Sequence, residues 1–171
     1  MSCSFAFERF LIHDAKSWGH LRETSRLQQP AQVPTPIYAS DRDPAAVKIA
    51  HRTFQGAGVG IDIRLRQSDI LDLTAPAEQG ILLINPPYGV RLSRPDELDA
   101  FYPKLGDWLK QRFAGWQAYV FTGDSRVPKL IGLSPSKRIP LFNGSLECRL
   151  YEFRIVEGSM RKARRTTHSN G

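Results

Sequence analysis

The segment Asn85-Pro86-Pro87-Tyr88 contains the residue types needed to bind the exocyclic amine of a nucleobase. Such an amine is a weak nucleophile, because its lone pair is delocalised into the ring unless both hydrogens are held by acceptors. The Asn85 side-chain oxygen and the Pro86 carbonyl oxygen are suitable acceptors, and two prolines stiffen the turn and remove competing N–H groups. Tyr88 offers a flat face for a base that has left its stack. A rigid turn after a buried strand is the alternative.

Two carboxylates that follow other predicted strands could bind a nucleoside. Asp41, which is followed by Arg42, could accept both hydrogen bonds of a ribose diol, as carboxylates do in dinucleotide-binding folds. Asp69 could accept a hydrogen bond from an adenine amine while Ile70 packs against the ring, although Asp69 alone could equally be an ordinary loop residue. Asp43 is more simply explained as the N-cap of the following helix.

Apolar runs and helical spacing predict the elements that would position these residues. Strands are predicted over 36–40, 61–65, 80–84 and 116–121, and helices over 45–54 and 96–113. The segment 5–23 predicts one amphipathic helix or two short ones, and 25–36 a linker. Asn143-Gly144, between strand-like runs over 137–141 and 146–155, predicts a β-hairpin. The pattern predicts an α/β fold, a mostly parallel sheet with a C-terminal antiparallel hairpin. Ligands bind at the carboxyl ends of such strands, where Asp41, Asp69 and Asn85 lie.

Two further residues near this edge have open interpretations. Asp124 follows a predicted strand and could bind substrate or only form a turn. Phe142 precedes the predicted hairpin turn and could reach a base, but packing in the core is the better explanation.

The charge balance favours a polyanionic partner. The chain has 171 residues, with 24 Lys and Arg against 17 Asp and Glu, for a net charge of +7, and a basic surplus is typical of nucleic-acid-binding proteins. A basic, disordered tail over 158–171 would explain part of that surplus. Cys3 and Cys148 lack the spacing of metal ligands, so no metal is expected. No apolar run predicts a membrane span or a secretory signal, which indicates a cytoplasmic protein.

Several sequence blocks in order resemble the bacterial 23S ribosomal RNA guanine-N2 methyltransferases that also carry a THUMP RNA-binding domain. The blocks are Tyr38-Ala-Ser-Asp41-Arg-Asp43-Pro44, Asp69, Ile84-Asn85-Pro86-Pro87-Tyr88-Gly89, Leu105-Gly-Asp-Trp108, Leu141-Phe-Asn-Gly-Ser-Leu146 and Arg149-Leu-Tyr. The resemblance implies a Rossmann-like fold over 1–157, S-adenosylmethionine as methyl donor and a guanine of 23S ribosomal RNA as acceptor. It assigns the ribose to Asp41, the adenine side to Asp69, and catalysis to 85–88.

The chain departs from this family at its start. Members have a first strand and a glycine-rich cofactor loop before the segment that matches Phe5, whereas this sequence begins with Met1-Ser2-Cys3-Ser4. We therefore expect the first strand to be missing, two strands to lack a partner, and the exposed edges to favour self-association. We also expect S-adenosylmethionine to bind weakly or not at all. Two alternatives remain: an N6-adenine DNA methyltransferase, which shares Asn-Pro-Pro-Tyr, and a catalytically inactive nucleic-acid-binding remnant.

Overall fold

The structure is a computed structural model that describes residues 5–28, 34–86 and 95–156, without the side chains of 95–97. The predicted catalytic residues Pro87 and Tyr88, and the predicted tail over 158–171, lie outside the described residues. The chain divides into two compact units, Met1–Ile70 and Leu71–Gly171. We refer to them as unit 1 and unit 2.

Unit 1 contains two parallel strands and the helix that connects them. Its elements are a 3-10 helix over Ala6–Arg9, α1 over Ala15–Leu27, β1 over Ile37–Asp41, α2 over Pro44–Ala57 and β2 over Ile63–Gln67, and a 3-10 helix over Ile70–Asp72 follows. β1 pairs with β2 in a register that places Ile37 opposite Ile63 and Asp41 opposite Gln67. The carboxyl ends of both strands therefore reach the same edge.

Local signals set the helix ends in unit 1. The Asp14 carboxylate accepts hydrogen bonds from the first turn of α1, and the Asp43 carboxylate accepts one from the Ala45 backbone N–H at 2.8 Å. The N-cap role predicted for Asp43 is thus confirmed. α2 ends at Gly58, whose φ of 75° lies in the left-handed region that favours glycine. The strand predicted over 61–65 begins two residues later, because the Asp62 N–H closes a turn onto the Val59 carbonyl at 3.2 Å.

Unit 2 is built on a four-stranded mixed sheet in the order β3-β4-β6-β5. Its elements are β3 over Ile81–Ile84, α3 over Pro95–Arg112, β4 over Gln117–Thr122, α4 over Val127–Ile131, β5 over Lys137–Asn143 and β6 over Leu146–Arg154. β3 and β4 are parallel, whereas β6 is antiparallel to both β4 and β5. The predicted terminal hairpin is confirmed. The short helix α4 was not predicted.

The core of the described structure lies in unit 2. β4 alternates half-buried and buried residues, and Ala118 and Val120 on its buried side have no exposed surface. α3 contributes Leu105 and Leu109, which are equally buried. The Trp108 indole N–H donates to the Leu73 carbonyl at 2.9 Å, so the segment before β3 is tied to the core by a hydrogen bond.

Among the described residues, the first strand of each parallel pair has one side without a partner strand. Among the described residues, β1 pairs only with β2, and β3 pairs only with β4 on one side. The expectation that the strands ending at Asp41 and before Asn85 each lack a partner is therefore confirmed for the described part of the chain. Side chains on β3 are correspondingly exposed, with Ile81 at 70% and Leu83 at 69%. None of the described helices has the length and apolar character required to cross a bilayer.

Candidate active site

In unit 2, the end of β3 places Asn85 at the carboxyl edge of a parallel strand pair. Ile84 is opposite Val120 of β4, so the two strands end side by side. Asn85 follows β3, and Thr122 is the last residue of β4. Ile84 is 5% exposed and fixes the strand in the core. Parallel strands present their carboxyl ends to ligands in this way. The prediction of a polar residue directly after an apolar strand is therefore met for β3, but the strand is not buried throughout, because Ile81 and Leu83 are exposed.

The Asn85 side chain is available for binding, whereas Pro86 is fixed. Asn85 is exposed and Pro86 is buried, and no side-chain hydrogen bond joins Asn85 to another described residue. An amide in this state keeps its oxygen as an acceptor and its nitrogen as a donor. Pro86 is followed by another proline in the sequence, which restricts ψ of Pro86 and so limits the directions of its carbonyl. The pair can therefore present two acceptor oxygens to one amine.

The turn after β4 forms an ion-paired cluster beside this edge. The Asp124 carboxylate accepts hydrogen bonds from the Arg126 backbone N–H at 2.9 Å and from its guanidinium at 2.8 Å. The same guanidinium lies 3.2 Å from Asp99 of α3. These bonds from Arg126 lower the pKa of Asp124 below its usual range. Since its oxygens are engaged, Asp124 is better explained as a turn residue than as a substrate ligand.

The β5–β6 hairpin extends past the same edge and exposes Phe142 there. Thr122 at the end of β4 is opposite Arg149, so β6 residues before Arg149 and their partners on β5 project beyond β4. Phe142 pairs with Glu147 in this overhang and is 73% exposed. Packing of Phe142 in the core was therefore a wrong prediction. The strand pattern could not show how far the hairpin outreaches its neighbour, because that depends on long-range register.

In unit 1, the predicted nucleoside-binding residues share one edge. The Asp41 backbone carbonyl accepts a hydrogen bond from the Ser68 N–H at 3.0 Å, and the Arg42 carbonyl accepts one from the Gln67 side chain at 3.2 Å. These bonds join the ends of β1 and β2, so Asp41 and Arg42 lie beside the loop that carries Asp69. Ile70, half-buried, opens the short 3-10 helix.

The Asp41 carboxylate has the capacity to bind a diol. One of its oxygens accepts a hydrogen bond from the Asp43 N–H at 2.8 Å, and the side chain is exposed. A carboxylate has about four lone-pair positions, so acceptor capacity remains. Asp41 also borders an apolar groove of about 420 Å³ between β1 and α2, where Ala39, Ala50 and Phe54 are among the lining residues. An acidic rim on an apolar groove fits a nucleoside, which has a polar sugar and a flat base.

Comparison with known proteins assigns the chain to a family of methyltransferase domains. Residues 3–152 match the family described as "RMKL-like, methyltransferase domain". Two relatives named ribosomal RNA large subunit methyltransferase K/L also match. That of Syntrophotalea carbinolica is 39% identical in an alignment of 160 residues that covers 90% of this chain and 22% of the relative. That of Shewanella loihica is 36% identical in an alignment of 163 residues that covers 92% of this chain and 23% of the relative.

Solved structures support the same fold. SMU.472, crystallised in complex with SAH, superposes with a TM-score of 0.77 at 28% identity over 89% of this chain and 40% of that chain. A predicted N6-adenine-specific DNA methylase from Listeria monocytogenes superposes with a TM-score of 0.69 at 26% identity, covering 81% of this chain and 35% of that one. The fold is therefore the Rossmann-like methyltransferase fold expected from the sequence.

The chain spans only 22% to 39% of the length of the curated relatives that it matches. The match nevertheless includes both units and every candidate site residue, because it runs from residue 3 to residue 152. The chain belongs to the family of RMKL-like methyltransferase domains.

Proposed function

We propose that this domain takes part in transferring a methyl group from S-adenosylmethionine to the exocyclic N2 amine of a guanine in 23S ribosomal RNA. The observation that carries the proposal is the exposed Asn85 amide next to a buried Pro86 at the carboxyl edge of β3. The relatives named as large-subunit ribosomal RNA methyltransferases support RNA as the substrate. A ribosomal RNA substrate and a cytoplasmic location are consistent with each other.

The chemistry assigned to the chain's own residues is positioning. S-adenosylmethionine supplies an electrophilic methyl group when it is bound. The Asn85 side-chain oxygen and the Pro86 carbonyl oxygen each accept a hydrogen bond from the base amine. These two bonds direct the nitrogen lone pair towards that methyl group. Fixing two reactants in this way removes much of the entropic part of the barrier. No covalent bond to the protein is required.

Aromatic side chains would hold the flipped base. Tyr88 remains the predicted stacking partner, although it lies outside the described residues. Phe142, which the sequence had suggested only as a weaker candidate, is exposed on the hairpin that overhangs the same edge of unit 2. An exposed aromatic ring at a site for a flipped base is typical of enzymes that modify bases outside the stack.

The methyl donor would be held by the acidic edge of unit 1. Asp41 would accept hydrogen bonds from the ribose hydroxyls, and Asp69 would accept one from the adenine amine. Ile70 would pack on the adenine ring, and Arg42 would keep the loop in place through its carbonyl bond to Gln67. The remaining acceptor capacity of the Asp41 carboxylate is the structural support for this assignment.

The open edges of β1 and β3 are also candidate sites of self-association. Unpaired strand edges and exposed apolar side chains such as Ile81 and Leu83 favour pairing with a second copy. We include this association in the proposal, and sedimentation of the chain over a range of concentrations would measure it.

Methyl transfer tests the proposal directly. The chain would be assayed alone and as a chimera in which it replaces the matching segment of the Syntrophotalea carbinolica relative. Ribosomal RNA and DNA would each be offered with labelled S-adenosylmethionine, and the labelled nucleic acid would be digested to nucleosides. We expect N2-methylguanosine from the chimera, and little or none from the chain alone, since its binding of the methyl donor is expected to be weak. N6-methyladenine in the DNA would support the alternative of a DNA methyltransferase, and absence of transfer to either nucleic acid by both proteins would support the inactive remnant.

Asn85→Ala tests the residue that carries the proposal. In the chimera it is expected to lower the rate of transfer by at least about 100-fold, since groups that orient and stabilise the reacting atoms have effects of this size. Binding of S-adenosylmethionine, measured by calorimetry, should change less than twofold. Gln55→Ala removes an exposed amide from α2 as the matched control. Retained turnover in Asn85→Ala would contradict the proposal.

A further inference from the structure

One face of the β1–β2 pair carries polar and basic side chains that none of the described helices covers. Alternate residues of a strand point to opposite faces. Ala39 and Leu65, which are paired, line the groove under α2 and so define the covered face. Tyr38, Arg64 and Arg66 lie on the opposite face, and all three are exposed. We call the surface that these three residues form the basic face.

The basic face has an ordered aromatic and cationic centre. The Arg64 guanidinium lies 5.2 Å from the centroid of the Tyr38 ring, and its Nη1 donates to the Tyr38 hydroxyl at 3.0 Å. Arg66 follows two residues later on the same strand, which places the two Cα atoms about 6.6 Å apart. Both arginine side chains therefore project from one short stretch of β2.

The positive charge of this face is not neutralised by nearby acids. Within the part of the chain that the structure describes, the ion pairs involve other residues, and no carboxylate oxygen lies within 4.0 Å of Arg64 or Arg66. The acidic residues Asp41 and Asp69 are at the end of the strands rather than on this face. A pair of arginines in this state favours an anionic ligand, since a guanidinium can donate two parallel hydrogen bonds to a phosphate.

We propose that the basic face binds single-stranded RNA, with Arg64 and Arg66 on consecutive backbone phosphates and Tyr38 against a base. An acidic protein segment would match the charge but would leave the aromatic ring unused, whereas nucleic acid has both phosphates and flat bases. The partner is taken from the proposed function, but the contact is separate from the acidic edges and from Asn85. It gives the RNA a second point of attachment, on unit 1.

Salt-dependent binding tests this contact in the whole chain. A labelled single-stranded oligoribonucleotide would be titrated with wild type, with R64Q/R66Q, and with K48Q/R52Q, which removes the same charge from exposed positions of α2. We expect at least a tenfold increase in Kd for R64Q/R66Q and less than a threefold increase for the control. The slope of log K against log salt should fall by about 1.4, because each phosphate contact on a single strand contributes about 0.7.

Three outcomes would overturn the proposal. Equal weakening by both double variants would show a diffuse charge effect, and unchanged binding by R64Q/R66Q would show that the face is not used. Competition by polyglutamate as strong as that by RNA of equal charge would favour an acidic protein partner. If the variant does not fold, ultraviolet crosslinking of wild type decides the matter: RNA must crosslink to the peptide that contains Tyr38. None of these measurements needs methyl transfer, so their failure is distinguishable from failure of the proposed function.

Discussion

Each of the two units contains a parallel strand pair, but the units differ completely in how far their residues are buried. Every fully buried residue in the described part of the chain belongs to unit 2, and unit 1 has none. Val120 on β4 has no exposed surface, whereas Ala39, at the equivalent place in the middle of β1, is only half-buried. Ile49 on α2 remains 65% exposed. Similar local structure therefore exists with and without a core.

The difference follows from how many layers cover each sheet. In unit 1 one helix lies on one face of two strands, which is too little apolar surface to exclude water on both sides. In unit 2 four strands and two helices contribute to a common core. Unit 1 is consequently held in shape by helix caps and loop hydrogen bonds, and unit 2 by long-range packing. Substitutions that disturb side-chain packing should therefore lower the stability of unit 2 strongly and that of unit 1 only weakly.

Gly106→Ala should have the largest effect, because α3 and α4 touch at this glycine. A Cβ atom added at Gly106 would lie 2.0 Å from the Ile131 carbonyl oxygen, a backbone atom that cannot turn away. Separating the helices would open the core beside Leu105. We expect the free energy of unfolding of unit 2 to fall by at least about 2 kcal/mol, as for other overpacked cores. Urea denaturation followed by the fluorescence of the buried Trp108 and Trp116 measures this. A loss below about 0.5 kcal/mol, which is the effect of an ordinary surface substitution, would show that the helices separate easily.

Glu152 should have an intermediate, pH-dependent effect. Its carboxylate is 1% exposed on β6 and accepts hydrogen bonds from Ser136 at 2.8 Å and Tyr119 at 3.0 Å, with Lys137 at 3.2 Å. Led by the Ser136 hydroxyl, these partners lower the pKa of Glu152 to about 2. A carboxyl whose pKa is lower in the folded state stabilises the fold above its unfolded pKa. That stabilisation is lost as pH falls through the folded value.

Glu152→Gln should therefore be less stable than wild type at neutral pH, and the difference should shrink as pH falls from about 4.5 to about 2. Urea denaturation at several pH values measures this difference. Glu147→Gln, on the same strand but 59% exposed in its pair with Arg149, is the matched control and should show little difference at any pH. A constant gap between wild type and Glu152→Gln across this range would mean that the carboxylate is not the stabilising form.

The sequence predicted best what depends on neighbours along the chain. Asp43 caps α2, and Asn143-Gly144 closes the hairpin, because both are set by a few adjacent residues. Long-range register was harder to predict. The overhang that exposes Phe142 depends on where β4 ends along β6, at Thr122 opposite Arg149. α4, with only five residues, has too few positions to show a helical period.

The candidate site shows the same division between features set by adjacent residues and features set by long-range contacts. The positions of Asp41 and Asn85 after their strands were predictable, because an apolar run followed by a polar residue identifies a strand end. The engagement of Asp124 by Arg126 was not. Arg126 is itself held by Asp99, which belongs to α3 and approaches only in the folded chain. The basic face also required the structure, because Tyr38 and Arg64 are joined by strand pairing and are 26 positions apart.

Gly56→Ala should have the smallest effect, and of opposite sign to Gly106→Ala. Gly56 lies in the last turn of α2, and an added Cβ would meet no atom within 4 Å. Alanine costs less conformational entropy than glycine in a helix, so unit 1 should gain about 0.5–1 kcal/mol. Hydrogen exchange of the α2 amides should slow about two- to fivefold, since 1.4 kcal/mol corresponds to a factor of ten, while exchange in β4 stays unchanged. A destabilised α2 would mean that this surface of unit 1 is packed against other residues. That result would contradict the conclusion that unit 1 is open whereas unit 2 is packed.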